Sequence, residues 1–166
     1  MSGSHRAHAR RRVGCAIVTV SDTRTPETDT SGAKARELLE AAGHRVVAYA
    51  ILRDEPELIG RHLRGLLADE DVEAVILNGG TGLAPRDGTY ETVAGLLEKR
   101  IDGFGELFRQ LSYADIGPAA MLSRAVAGVA SRTIVASLPG STAAVALGLE
   151  KLLVPELGHM VELVRG

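Results

Sequence analysis

Between Asn78 and Thr89 the chain reads Asn-Gly-Gly-Thr-Gly-Leu-Ala-Pro-Arg-Asp-Gly-Thr. Gly79, Gly80 and Gly82 let the backbone take positive φ and approach a ligand, with no Cβ to hold an anion off the peptide N–H groups. Thr81 adds a hydroxyl, Arg86 a forked cation and Asp87 a carboxylate. The loop follows an apolar run at 74–77 that reads as a buried strand, and it precedes a helical pattern with Val93, Leu96 and Leu97 on one face. Such a helix turns the positive end of its dipole toward the loop. Glycines also make tight turns that bind nothing. A phosphate site is favoured because glycines, hydroxyl, cation and carboxylate meet at the C-terminal end of one strand, where open α/β sheets bind ligands. It is not a Walker loop, since no lysine follows the glycines, nor a dinucleotide fingerprint, since Pro85 stands where glycine or alanine is needed.

The elements that position this loop follow from apolar patterning. Residues 13–20 are rich in β-branched side chains and predict a first strand buried on both faces, which delivers Ser21 and Asp22 at its end. Asp29-Thr30-Ser31-Gly32 opens a helix with Ala35, Leu38, Leu39 and Ala42 on one face, and Asp29 or Thr30 is its natural N-cap. A second strand at 44–52 ends in Arg53-Asp54-Glu55-Pro56, and the helix that follows buries Ile59, Leu63, Leu66 and Leu67. By position alone Asp54 is an N-cap. Asp54 and Asp87 lie 33 positions apart, an interval that a strand, a helix and a parallel strand convert into proximity at one sheet edge.

Further on, one helix runs from Thr89 to about Lys99 and another over 103–112, where Phe104, Leu107, Phe108 and Leu111 make a core stripe. Residues 119–129 and 133–137 read as two strands whose short link permits only antiparallel pairing. Pro139-Gly140 is a turn signal, Ser141 leads into a helix with Val145, Leu149, Leu152 and Leu153, and Pro155 begins a last helix. The expected architecture is a three-layer α/β/α sandwich, with a mostly parallel sheet and one antiparallel hairpin.

Composition narrows the function. With 166 residues, 45% hydrophobic and 24% charged, the chain suits one soluble domain over 13–166 behind a basic leader at 1–12. That leader reads as flexible, with an anion-binding arm as the sharper alternative. Aromatics make up 3% and the net charge is -2, which leaves a nucleic-acid reader poorly equipped. The apolar run at 13–20 is too short to cross a membrane. Cys15 is the one cysteine, so no internal disulfide forms, and a reducing cytoplasm fits. None of His5, His8, His44, His62 and His159 falls in the polar loops, so positioning and electrostatics are expected in place of imidazole chemistry.

From Gly79 to Asp87 the chain matches Gly-Gly-Thr-Gly-x-x-Pro-Arg-Asp at nine consecutive positions. In this it resembles the MoaB/Mog family of molybdenum-cofactor-biosynthesis and molybdopterin-binding domains. Ser123-Arg124 with Gly128, and the Asp-x-Ser-Gly at 29–32, are similar to further family signatures. The resemblance implies that Asp54 and Asp87 are catalytic and hold Mg2+ between them and a triphosphate. It places Ser31 and Gly32 at the pterin-phosphate pocket, and implies ligand contacts from Ser112, Ser123, Ser137, Pro139, Gly140 and Ser141. The implied reaction transfers AMP from Mg-ATP to the terminal phosphate of molybdopterin, with release of pyrophosphate. The resemblance also implies a homotrimer or homohexamer and a downstream molybdenum-insertion enzyme as partner. Two rivals stay open: a non-catalytic molybdopterin carrier, and a pyrophosphate hydrolase like the related competence-damage-type domain. Three positions depart from the family's usual residues: Gly88 and Tyr90, where a β-branched residue and a helix-starting proline are usual, and Ser137 in place of asparagine.

Overall fold

An unbroken apolar run has no solvent face, and the strand it forms must lie inside a sheet covered on both sides. β1 (Gly14–Val20) is such a strand, with all 7 residues buried. The computed structural model describes residues 11–166. The other strands are β2 (Arg45–Leu52), β3 (Ala74–Asn78), β4 (Lys99–Arg100), β5 (Val126–Ala130) and β6 (Thr133–Leu138). The helices are α1 (Thr30–Ala41), α2 (Pro56–Leu67), α3 (Thr89–Leu96), α4 (Asp102–Ile116), α5 (Thr142–Gly148) and α6 (Val154–Arg165).

The strands form one sheet in the order β2-β1-β3-β6-β5-β4. β2, β1, β3 and β6 run parallel, and β5 and β4 add an antiparallel edge. Side chains alternate across β1: Ile17 joins Leu39, Phe108, Ile134 and Leu157 under α1, α4, α5 and α6, while Val18 joins Ile59, Leu63 and Val93 under α2 and α3. The expected three-layer α/β/α sandwich is therefore the observed one. Its registers align the site. Val20 pairs with Leu52, Thr19 with Asn78, and Asn78 with Leu138, so four parallel strands end level at one edge. The chain leaves β1 toward β2 on one side and returns to β3 on the other, and the loops after β1 and β3 flank a crevice there.

Several elements differ from the pattern-based expectation. The helix after Thr89 stops at Leu96, and Lys99–Arg100 forms the short edge strand β4, a charged pair too brief to carry a strand signal. The strand expected over 119–129 is a 3-10 turn at Gly117–Leu122 followed by β5 alone. Pro118 and small alanines suit the tight turn, and Arg124 leaves the ladder to reach another loop. The hairpin between β5 and β6 turns on Ser131 and Arg132 at φ 47 and 61, the left-handed pair that matches strand twist. Pro155 does not start a separate helix. A π-turn at Leu149–Leu153 joins α5 to α6, with the Val154 N–H donated to the Leu149 carbonyl just before the proline that has no N–H to give. Of the basic leader, residues 1–10 lie outside the described residues, and Arg11 pairs with Glu73 at 2.6 Å. No helix of the described residues is long and apolar enough to cross a membrane.

Buried His44 fastens the start of β1: its Nδ1 accepts the Val13 N–H at 3.1 Å, which requires an unprotonated ring nitrogen. Burial pushes the imidazole below its ordinary value, and nearby Glu73 opposes only in part. Below about pH 6.5 the unfolded chain takes up a proton that the folded chain resists, so stability is full above that pH and falls as pH drops toward the lowered folded value. The urea midpoint should fall between about pH 7.5 and about pH 5.5, and the fall should shrink in His44→Gln. Equal pH dependence in the two proteins would remove His44 from this role.

Candidate functional site

The glycine loop leaves β3 under constraint. Gly79 has φ 96, and a Cβ on it would stand 2.2 Å from the Val20 carbonyl oxygen. Gly80 has φ 68, and its Cβ would meet Thr89 Oγ1 at 2.0 Å and Asp54 Oδ2 at 2.8 Å. Any side chain at Gly80 would therefore displace the groups that the β2 and β3 loops bring there. The Thr89 N–H closes the loop by donating to the Gly80 carbonyl at 3.2 Å.

Arg124, arriving ahead of β5, holds the other side of the loop. Its Nε donates to the Thr81 carbonyl at 3.0 Å and its Nη2 to the Gly82 carbonyl at 2.6 Å, while Nη1 pairs with Glu91. In a trans peptide the N–H points opposite to the carbonyl, so the N–H groups of Gly82 and Leu83 face away from Arg124. Among the described residues, the N–H groups of Gly80, Thr81, Gly82 and Leu83 donate to no protein acceptor. Consecutive unpaired N–H groups on a glycine bend form an anion cradle.

Asp54 and Asp87 both face this loop. Asp54 is 7% exposed, and its Oδ1 accepts long hydrogen bonds from the Gly88 N–H and Thr89 Oγ1, each 3.4 Å. It caps no helix, since α2 begins at Pro56 with no side-chain cap. Asp87 is half-buried and accepts the Ala84 N–H at 3.0 Å, and a Cβ on Gly82 would lie 2.5 Å from its Oδ2. Burial pushes the Asp54 carboxyl above its ordinary value. Asp87 and Asp22 push the same way, and the Gly88 and Thr89 hydrogen bonds oppose. Asp22 is the opposite case: hydrogen bonds from Arg86 hold its carboxyl down at about 2. Arg86 Nε and Nη2 reach the two Asp22 oxygens at 2.5 and 3.0 Å, and Asp22 Oδ1 also accepts the Asp54 N–H at 3.2 Å. Arg86 thus holds an acid in this structure, not open space beside the cradle. Ser21 shapes the turn that presents Asp22, its hydroxyl accepting the N–H groups of Thr23 and Arg24.

Beside the cradle lies a cleft of about 440 Å3. Gly79, Gly80, Thr81 and Gly82 form one wall, and Pro139, Gly140 and Ser141 form a second. Phe108, Ile116 and Leu122 of α4 and the 3-10 turn make an apolar side, with Ser112 and Ser123 as hydroxyls among them. The Ser141 hydroxyl is occupied in capping α5, where it accepts the Ala144 N–H at 3.1 Å. That of Ser123 is buried with no partner among the described residues.

Three expected contacts do not reach the cleft. Ser31 is fully buried, and its hydroxyl accepts from Arg24 Nη1 at 2.7 Å and donates to Asn78 Oδ1 at 2.9 Å. Gly32 is buried with it, its N–H donated to the N-cap Asp29 at 2.9 Å. Ser137 is fully buried in β6 on the side away from Ala136 and Leu138, and its hydroxyl has no partner among the described residues. Sequence reasoning missed Thr89, Asn78 and Arg24, and left Arg124 without a role. Arg24 links Ser31 to the Gly140 carbonyl at 3.4 Å, and Asn78 Nδ2 donates to Thr19 Oγ1 at 3.0 Å, so these residues join the loops under the cleft. The one available signal was that Arg124 stands beside Ser123.

Residues 16–159 match the family described as probable molybdopterin binding domain. Molybdenum cofactor biosynthesis protein B of Bacillus cereus is 52% identical over 157 residues, which cover 94% of this chain and 93% of the relative. A crystal structure of molybdenum cofactor biosynthesis protein B superimposes with a TM-score of 0.91 at 51% identity, covering 93% of this chain and 97% of that one. The tungsten cofactor synthesizing protein MoaB of Pyrococcus furiosus gives a TM-score of 0.83 at 33% identity, over 94% of this chain and 99% of its own.

The raised Asp54 value carries a stability consequence. A carboxyl whose folded value lies above its unfolded one takes up a proton on folding, so ionising it opposes the fold, increasingly as pH rises from about 3.8 through the folded value. Asp54→Asn should therefore melt above the wild type at neutral pH, with the gap closing in acid. A variant that melts lower at neutral pH would contradict this account of Asp54.

Proposed function

This chain belongs to the MoaB family of molybdenum cofactor biosynthesis proteins, built on the molybdopterin-binding domain, and from that premise we propose that it adenylylates molybdopterin. The observation that carries the reading is the cradle of unpaired N–H groups at 80–83, faced by the Asp54 and Asp87 carboxylates beside a cleft with an apolar wall. In the proposed reaction an oxygen of molybdopterin's terminal phosphate attacks the α-phosphorus of ATP. The bond from that phosphorus to the α,β-bridging oxygen breaks, and pyrophosphate leaves with the electron pair.

The cradle binds phosphate oxygens through N–H groups fixed before the ligand arrives, which is how charge developing in phosphoryl transfer is best met. Phe108, Ile116 and Leu122 offer the ring an apolar face, with Ser112 and Ser123 to orient it. Asp54 and Asp87 suit Mg2+, an ion that commonly takes one or two carboxylates and completes its shell with phosphates and water. Among the described residues no group of three His, Cys, Asp or Glu side chains is placed to hold a metal. When bound, Mg2+ neutralises charge on the triphosphate. Relief of the repulsion between Asp54, Asp87 and Asp22 supports the same assignment.

Purified protein incubated with molybdopterin, ATP and Mg2+ should form adenylyl-molybdopterin, detected by chromatography together with pyrophosphate. Asp87→Ala should lower the rate by about a hundredfold or more with little change in melting temperature. Full activity in that variant would remove Asp87 from catalysis. Tight binding of molybdopterin with no ATP turnover would make the protein a carrier instead.

A further inference from the structure

A second cavity, about 290 Å3 in volume, shares Ser123 with the wall of the cleft. Three arginines from three elements line it: Arg100 of β4, Arg109 of α4, and Arg124 ahead of β5. They differ in what they have left to give. Arg124 is the most engaged, with Nε, Nη1 and Nη2 each making one contact. Arg109 donates Nη1 to the carbonyls of Ser123 and Ala125, each at 3.3 Å, and no carboxylate of the described residues lies within ion-pair reach of it. Its guanidinium packs on Gly105, where a Cβ would stand 2.7 Å from Nη2, so α4 leaves that cation its place. Arg100 donates Nη2 to the Tyr90 hydroxyl at 2.6 Å, and its nearest acid is Asp102, 3.9 Å from Nε with a side chain 79% exposed.

Tyr90 stands between two of these charges. The guanidinium carbons of Arg124 and Arg100 lie 4.9 and 5.8 Å from the centre of its ring. The ring face attracts each cation, but two cations sharing one ring repel each other, and an anion among them offsets that repulsion. Ser123, which lines both cavities, adds a buried hydroxyl without a partner among the described residues. The volume equals roughly ten waters at ~30 Å3 each, enough for two linked phosphate groups with some solvent.

We infer that this arginine cavity is a second anion site, which takes a phosphate-type oxyanion of the diphosphate class beside the glycine cradle. Guanidinium forks match phosphate oxygens, and Arg100 and Arg109 are the two with donors to spare. The choice of a diphosphate rests on the adenylylation reading, in which pyrophosphate must leave the cleft. Tyr90 is then the residue that makes the site: its hydroxyl orients Arg100 and its ring spaces Arg100 from Arg124.

Isothermal titration of the full chain with inorganic pyrophosphate, without nucleotide or pterin, tests this. Arg100→Gln should weaken binding about tenfold, and Tyr90→Phe, which keeps the ring but frees Arg100, by a smaller factor. Unchanged affinity in both variants, at unchanged melting temperature, overturns the inference. Titrating ATP into the same variants identifies the source of the anion. A loss confined to pyrophosphate assigns the cavity to the leaving group, and a parallel loss for ATP assigns it to the triphosphate tail. Because the readout is equilibrium binding, failure of adenylylation with this titration intact would sink only the reaction.

Discussion

A peptide group cannot offer its N–H to an anion while its carbonyl points the same way, so the cradle at 80–83 depends on what holds the Thr81 and Gly82 carbonyls. Arg124 holds both, through two different nitrogens of one planar group, and Glu91 and the Tyr90 ring fix that group in turn. Lysine could not substitute, because a point charge on a flexible stem does not set the angle between two peptide planes. The fixed tilt of two successive peptides turns a permissive run of glycines into a set of outward N–H groups fixed in place.

The acids around this cradle are arranged unequally. Asp22 is exposed, paired with Arg86 and firmly ionised, whereas Asp54 is buried against weak, long hydrogen bonds and resists ionisation. An exposed ion pair is worth little in water, so Arg86 can exchange Asp22 for a phosphate at small cost. Asp54 has no such partner. The long hydrogen bonds from Gly88 and Thr89 oppose the raised value of its carboxyl only in part.

Much of this is legible in the sequence for a physical reason: strand–helix–strand units return the chain to one edge, so a glycine loop and an acid 33 residues earlier must converge if both follow parallel strands. Val13, Cys15 and Ile17 pack into one core cluster and Ala16, Val18 and Val20 into the other, as a strand buried on both faces requires. What is not legible depends on partners far along the chain. Ser31 and Ser137 look like ligand groups in a linear reading, but Asn78 and Arg24 engage the first, and the register of β6 turns the second into the interior. The run at 119–129 has strand-like composition up to the point where Arg124 must leave the ladder to reach Thr81, and only the fold makes that demand.

Apart from the Ser137 hydroxyl inside β6, the distribution of satisfied and unsatisfied polar groups separates scaffold from site. Under the cleft, Asp29 accepts from Tyr49 and from the Gly32 N–H, Arg24 bridges Ser31 to the Gly140 carbonyl, and Asn78 ties Ser31 to Thr19, a network that joins the loops after β1 and β6 to strands β1, β2 and β3. At the cleft the pattern reverses. The N–H groups at 80–83 and the Ser123 hydroxyl have no partners among the described residues, although each would be cheaper to keep if it were paired. A rigid network beneath a set of unpaired donors is what binding requires, because order already present in the protein need not be created when the ligand arrives. Ser123 belongs to the walls of both cavities, so the same logic that makes the glycine loop a cradle also joins it to the arginine pocket next door.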